Sequence, residues 1–156
     1  MYYYGYFRNK DTTKDEKGQI FKVIIITDFN NLGYHNQTPI ELKLSSNPFV
    51  VNYSSDNLLK PYKCSTATVS FYQDSINTNF YCKGGNDIYV ALLKPKEDIG
   101  FSPSAETPYN DNERYSVEWC GYATPNAYNQ SFESDFDLFE LECQDGLSIL
   151  RYFDYT

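Results

Sequence analysis

The sequence predicts an all-β protein: an antiparallel β-barrel or sandwich of about seven to eight strands with long surface loops. Three observations carry that prediction. Sixteen tyrosines and eleven phenylalanines, with one tryptophan, make aromatics 18% of the chain, and such side chains favour pleated, half-buried surfaces. Several segments alternate apolar and polar residues with a period of two, the mark of a strand with one buried face. No segment sustains the spacing of an amphipathic helix.

Taken in order, Tyr2 to Arg8 reads as a first strand, followed by the charged turn region "NKDTTKDEKGQ" that contains Gly18. Ile20 to Thr27, "IFKVIIIT", is apolar nearly throughout. Such a run suits a strand buried on both faces, and with the first strand it makes a hairpin. Ile40, Leu42 and Leu44 alternate with Glu41 and Lys43; Phe49, Val51 and Tyr53 alternate with Val50 and Asn52. The clearest alternation is in Ser65 to Tyr72, where Ala67, Val69 and Phe71 share one face and Thr66, Thr68, Ser70 and Tyr72 the other. A one-residue slip there would bury hydroxyls in place of the apolar set, so the register is strongly specified.

Further strands are expected at Ile88 to Lys94, Tyr115 to Tyr122 and Asp137 to Gln144. The stretch "KPKEDIGFSPSAETPYNDNE" holds three prolines and several acids and reads as a long surface loop. "ATPNAYNQSFESD" reads as another. Leu147 to Tyr152, after Asp145-Gly146, is placed to begin a turn of helix. There is no internal repeat, and residues 1–156 are expected to form a single domain. A chain near that length buries roughly 68–70% of its unfolded surface, enough for a core without staples.

The formal charge of −8 argues against nucleic-acid binding, which draws its affinity from clustered lysine and arginine. The N-terminal "MYYYGYFRNK" lacks a signal-peptide pattern, and no later run approaches the ~18 apolar residues of a membrane span. A soluble protein made in a cytoplasm, with no membrane contact, is the expectation. Cys64, Cys82, Cys120 and Cys143 form no C-x-x-C pair, and His35 is the only histidine. Four buried reduced thiols are therefore expected ahead of a disulfide, with zinc last.

Candidate catalytic groups are few. Asp135 and Asp137, or Glu140 and Glu142, have the proximity that paired carboxylates need for acid–base work. In a strand, however, residues two apart share a face, so Glu140 and Glu142 point outward if Phe139 and Leu141 point inward. A solvated face explains them. His35 sits in "NNLGYHNQTP", a surface loop by composition. No G-x-S-x-G occurs, and Gly84-Gly85 is not followed by the Lys-Ser or Lys-Thr of a phosphate loop. Neither a catalytic group, a metal nor a cofactor is expected. The tyrosines are more informative: Tyr2, Tyr3, Tyr4 and Tyr6 fall on both faces of the first strand, so some stay partly exposed unless covered. Three uses are open for them: a protein contact, a thick aromatic core, or stacking on sugars.

Three stretches together, "NPFVVNYSSDNLLKPYKCSTATVSFY", "VEWCGYATPNAY" and "LFELECQDGLSIL", resemble tail-tip or baseplate-hub proteins of tailed bacteriophages. That resemblance implies a β-barrel related to tail-tube and hub domains. It also implies assembly as a homo-oligomeric ring, other tail or baseplate proteins as partners, and a place in the virion tail after assembly in the host cytoplasm. The runner-up is a carbohydrate- or receptor-binding β-sandwich module, and an enzyme comes third. In the tail-protein reading Lys60-Pro61-Tyr62-Lys63 acts as a joint. Pro61 fixes its own φ and pushes Lys60 into an extended conformation, which sets how the chain enters Ser65 to Tyr72. Lys60, Pro61 and Lys63, with Tyr2 and Tyr4, are the candidate interface residues.

Overall fold

Eight strands form one curled sheet in the computed structural model, which describes residues 1–9, 18–28, 38–53, 64–73, 80–81, 87–96, 115–130 and 137–149. In chain order they are β1 (Tyr2–Asn9), β2 (Gln19–Thr27), β3 (Ile40–Glu41), β4 (Lys43–Tyr53), β5 (Ser65–Gln73), β6 (Ile88–Pro95), β7 (Tyr115–Gln130) and β8 (Asp137–Asp145), followed by the short helix α1 (Gly146–Ile149). The all-β expectation holds, and the architecture is a half-barrel built from a single sheet.

The order across the sheet is β3-β1-β2-β6-β7-β8-β5-β4. Its two outermost strands, β3 and β4, are separated in sequence by Leu42 alone. One stretch of chain therefore belongs to both edges, and the sheet has to curl for them to meet. β1 pairs with β3 in parallel, while the other strand pairs are antiparallel. The exception follows from counting. With β3 and β4 taken as one wall, an odd number of strands surrounds the core, and an odd ring of alternating directions must contain one parallel contact.

That contact is short. Tyr3 pairs with Ile40 and Tyr4 with Glu41, and the Leu42 N–H donates to the Tyr4 carbonyl at 2.7 Å. Gly5 makes the corner possible: a Cβ there would lie 2.8 Å from Leu44 Cγ, so the missing side chain is the space that Leu44 occupies. Leu44 in turn stands opposite Phe71 on β5. Beyond Tyr4 on β1, and along Phe49–Tyr53 on the outer edge of β4, no strand pairs among the described residues.

The inner face is an aliphatic and aromatic core. Val23, Ile25, Val69, Phe71 and Val90 are fully buried. Phe80 closes one end, its ring 4.7 Å from Tyr3, 4.9 Å from Phe71 and 5.5 Å from Phe139. The register expected for Ser65 to Tyr72 is the one found, with Ala67, Val69 and Phe71 inward. Phe139 and Leu141 likewise point inward, leaving Glu142 exposed and Glu140 half-buried on the other face.

The outer face has two characters. Along β5 and β8 it carries Thr66, Thr68, Ser70, Glu140 and Glu142, paired as Thr68 with Glu142 and Ser70 with Glu140. Along β1, β2 and β6 it is apolar and also buried: Tyr2, Tyr4, Ile24, Ile26, Tyr89, Ala91 and Leu93 form a second cluster. This is why "IFKVIIIT" is apolar on both sides, as a strand buried on both faces must be.

The structure corrects several boundaries. β7 runs to Gln130, through residues expected to be a loop. Ala123 pairs with Cys143 and Tyr128 with Leu141, so Thr124–Ala127 stand opposite Glu142 alone. The excess residues are taken up in an irregularity that holds Pro125, which has no N–H for a regular ladder. The alternating pattern expected from Ile40 to Leu44 is split between β3 and β4, and its Lys43–Leu44 part joins Phe49–Tyr53 in one strand with a register shift between Leu44 and Phe49. Tyr53 shares the face of Phe49 and Val51, as expected, and is 65% exposed because β4 ends there. The helical turn expected from Leu147 begins one residue earlier, at Gly146.

The start of β1 is tied to the end of β2. The Met1 ammonium donates to the Thr27 carbonyl at 3.0 Å, and the Thr27 N–H donates to the Met1 carbonyl at 2.9 Å. Partial burial holds the amino group below its ordinary pKa, and the nearby Asp28 carboxylate opposes that shift.

Candidate functional site

Ser65 opens β5, Asp145 ends β8 and Trp119 lies in β7, at 54 and 80 residues from Ser65 for the tryptophan and the aspartate. The fold brings them together. The pair Thr66–Gln144 is the last rung of the β5–β8 ladder. One step further the ladder is replaced by a side chain: Asp145 Oδ2 accepts from the Ser65 N–H at 2.6 Å and from the Ser65 hydroxyl at 2.7 Å. The Ser65 oxygen itself accepts from Trp119 Nε1–H at 2.9 Å. Trp119 is buried against the inner cluster, edge-on to Phe49 with ring centres 5.6 Å apart.

Gly121 completes the junction. A Cβ there would collide with the Gln144 carbonyl oxygen and lie 2.6 Å from Trp119 Cη2. Close approach of β7 to β8, and the placement of the indole beside it, both require the missing side chain. The junction thus joins residues from three parts of the chain that lie far apart in sequence: Ser65 from the first, Trp119 and Gly121 from the second, Gln144 and Asp145 from the third.

Chemically the junction holds strands together. The Ser65 hydroxyl accepts from the indole and donates to the carboxylate, and Ser65 is 4% exposed. Asp145→Ala should cost about 1–3 kcal/mol, because a buried amide and hydroxyl lose their acceptor. Trp119 is the sole tryptophan, so its emission reports on the junction alone, and it should shift to the red in this variant. Unchanged emission and unchanged stability would contradict the assignment.

A second cluster involves Lys22, which is 3% exposed in the middle of the outer apolar face. Its Nζ lies 5.2 Å from the ring centre of Tyr115, 5.6 Å from those of Tyr4 and Tyr6, and 6.0 Å from that of Tyr2. Four phenol faces supply the negative potential that a buried ammonium needs. The sequence held a signal for this cluster, a single lysine inside an eight-residue apolar run next to a tyrosine-rich strand. Only the pairing of β1 with β2 shows that the two address each other.

The sequence-selected residues are placed as follows. Tyr2 and Tyr4 are 1% and 9% exposed and offer little surface to a partner; Tyr3 is covered too, and Tyr6 stays partly exposed, as expected for some of these tyrosines. Lys60, Pro61 and Lys63 lie outside the described residues, as do His35, Cys82, Asp135, Gly84, Gly85 and residues 97–114. Among the described residues no three His, Cys, Asp or Glu side chains are grouped to hold a metal ion, and no helix is long and apolar enough to cross a membrane. The Thr27 hydroxyl and the Gln73 side-chain amide are buried without a hydrogen-bond partner.

The thiols differ from expectation in one respect. Cys64, Cys120 and Cys143 form no disulfide, as expected, but among these three only Cys143 is buried, while Cys64 is half-buried and Cys120 is exposed. Cys120 is exposed because Trp119 and Gly121 take the inward positions of that strand. Native thiol titration should therefore modify Cys120 readily and spare Cys143 until the protein is denatured. Equal rates for the two would show that β7 does not hold this orientation. No protein-family model, curated protein or solved structure matches the chain.

Proposed function

We propose that this protein is a non-enzymatic structural component of a bacteriophage tail, at the tail tip, baseplate hub or a connector ring, acting by multimeric assembly. The observation that carries this reading is the junction of Trp119, Ser65, Asp145 and Gly121. Three short stretches resemble tail-tip and hub proteins, and their residues meet at one place in the fold. A shared structural unit explains why stretches so far apart in sequence go together.

The carbohydrate-binding alternative drew its support from the tyrosines. Burial of Tyr2, Tyr3 and Tyr4 removes three of them from any sugar platform. The reading of the junction as a strand clamp favours an assembly role over an enzymatic one.

In an assembly role, acidic subunits repel one another, so lysines beside the β5 entry have a use in pairing with acids on a neighbour. The double variant Lys60→Glu/Lys63→Glu should enter tails poorly while keeping its circular dichroism and melting temperature, since solvated charges contribute little to stability. Normal incorporation would remove these lysines from the interface. A stable monomer that binds glycans specifically would favour the alternative instead.

A further inference from the structure

We infer that Tyr2, Tyr4, Tyr6 and Tyr115 form a binding cage for an alkylammonium ion, and that Lys22 is its tethered occupant. The inference stands apart from the tail reading. Tyr2, Tyr4 and Tyr6 alternate along β1 and so share its outer face, while Lys22 on β2 stands opposite Tyr6 on one side and Leu93 of β6 on the other. Tyr115 comes from β7, on the far side of β6. The ammonium is therefore met by rings from two strands that do not pair with each other.

A lysine on an apolar face ordinarily lays its stem along the surface and keeps its charged head in water. Lys22 does not. The whole residue is 3% exposed, and its Nζ lies between 5.2 and 6.0 Å from the four ring centres, within the ~6 Å over which a ring face attracts a cation. The rings are not stacked on one another. Tyr4 and Tyr6 meet edge-on with 74° between their planes, and Tyr2 is tilted by 31° from Tyr4 at 6.5 Å, so their faces are left to the ammonium.

The cage has a floor and a rim. Tyr2 and Tyr4 are buried, whereas Tyr6 and Tyr115 are half-buried, so a small ion can enter past the latter pair once the lysine stem is gone. Beyond Cβ that stem is a propylammonium ion, which sets the size of ligand the cage takes. Ring faces attract positive charge and give a neutral molecule of the same shape no such gain. The cluster should therefore select by charge and not by fit alone.

Titrating the full chain carrying Lys22→Ala with propylammonium chloride tests this, followed through the ring resonances of Tyr6 and Tyr115. 1-Propanol is the neutral control, and sodium chloride controls for ionic strength. Propylammonium should bind saturably, at least about tenfold more tightly than 1-propanol, and raise the melting temperature of the variant. The unaltered protein, its cage filled by Lys22, should show neither effect. A second reading needs no variant to fold: in the unaltered protein, ring currents should move the Lys22 ε-methylene protons upfield of those of Lys43 and Lys96, which are exposed. The proposal is overturned if propylammonium binds no more tightly than 1-propanol, or if the unaltered protein responds to it as the variant does. It is also overturned if the Lys22 ε-methylene protons resonate with those of the exposed lysines.

Discussion

Replacing Phe71 with alanine should destabilise the protein by about 3–5 kcal/mol, the range for deleting a fully buried phenyl ring. Phe71 has no exposed surface. Its ring centre lies 4.9 Å from Phe80 and 5.1 Å from Phe139. The residue also sits opposite Leu44 on one side and Phe139 on the other, so the cavity would open beside the corner where β3 passes into β4. That location leaves little to collapse into the space, because Leu44 is already held over Gly5. Tyr53→Ala is the internal control: the side chain is largely exposed, and its loss should change stability by no more than ~0.5 kcal/mol. Chemical denaturation of the three proteins measures both values. A loss below ~1 kcal/mol at Phe71 would place the residue outside the core.

Gly121→Ala should be at least as damaging, on the order of 3 kcal/mol or more, for a different reason. The added methyl meets the Gln144 carbonyl oxygen, which is backbone within the β7–β8 ladder, and on its other side the indole of Trp119. Backbone cannot rotate away as a flexible side chain can, so β7 must lift from β8. Lifting it stretches the hydrogen bond from Trp119 to Ser65 and, through Ser65, the contact with Asp145. Loss of stability should therefore come with a red shift of Trp119 emission. Gly146 is the matching control, since nothing lies within 4 Å of a Cβ built there. A well-folded Gly121→Ala protein with native emission would mean that β7 and β8 are further apart than described.

Some of this was legible in the sequence and some was not, and the division is physical. "STATVSFY" disclosed its inward face because one strand with one buried face alternates strictly. "IFKVIIIT" disclosed double burial because no polar face interrupts it except at Lys22. Local pattern does not report which edges meet, however, and β3–β4 serving both edges is a property of the curled sheet as a whole. The burial of Tyr2, Tyr3 and Tyr4 on both sides of β1 was hidden likewise: a tyrosine suits a rim as well as a core, and the second apolar cluster decides the matter. β7 continued past Pro125 because an irregularity takes up the extra residues, a feature that composition reads as loop. The junction's members lie in separate stretches of the sequence, and contacts across 54 and 80 residues have no local signature.

The central claim, that the chain acts by assembling into a phage tail, is tested most directly by labelling. Virions from cells that make this protein should be imaged by electron microscopy after binding a gold-tagged antibody raised against the folded chain. The account predicts label confined to the tail, at its tip, baseplate or connector. Virions that carry no label, while the purified protein remains a monomer in solution, would contradict it.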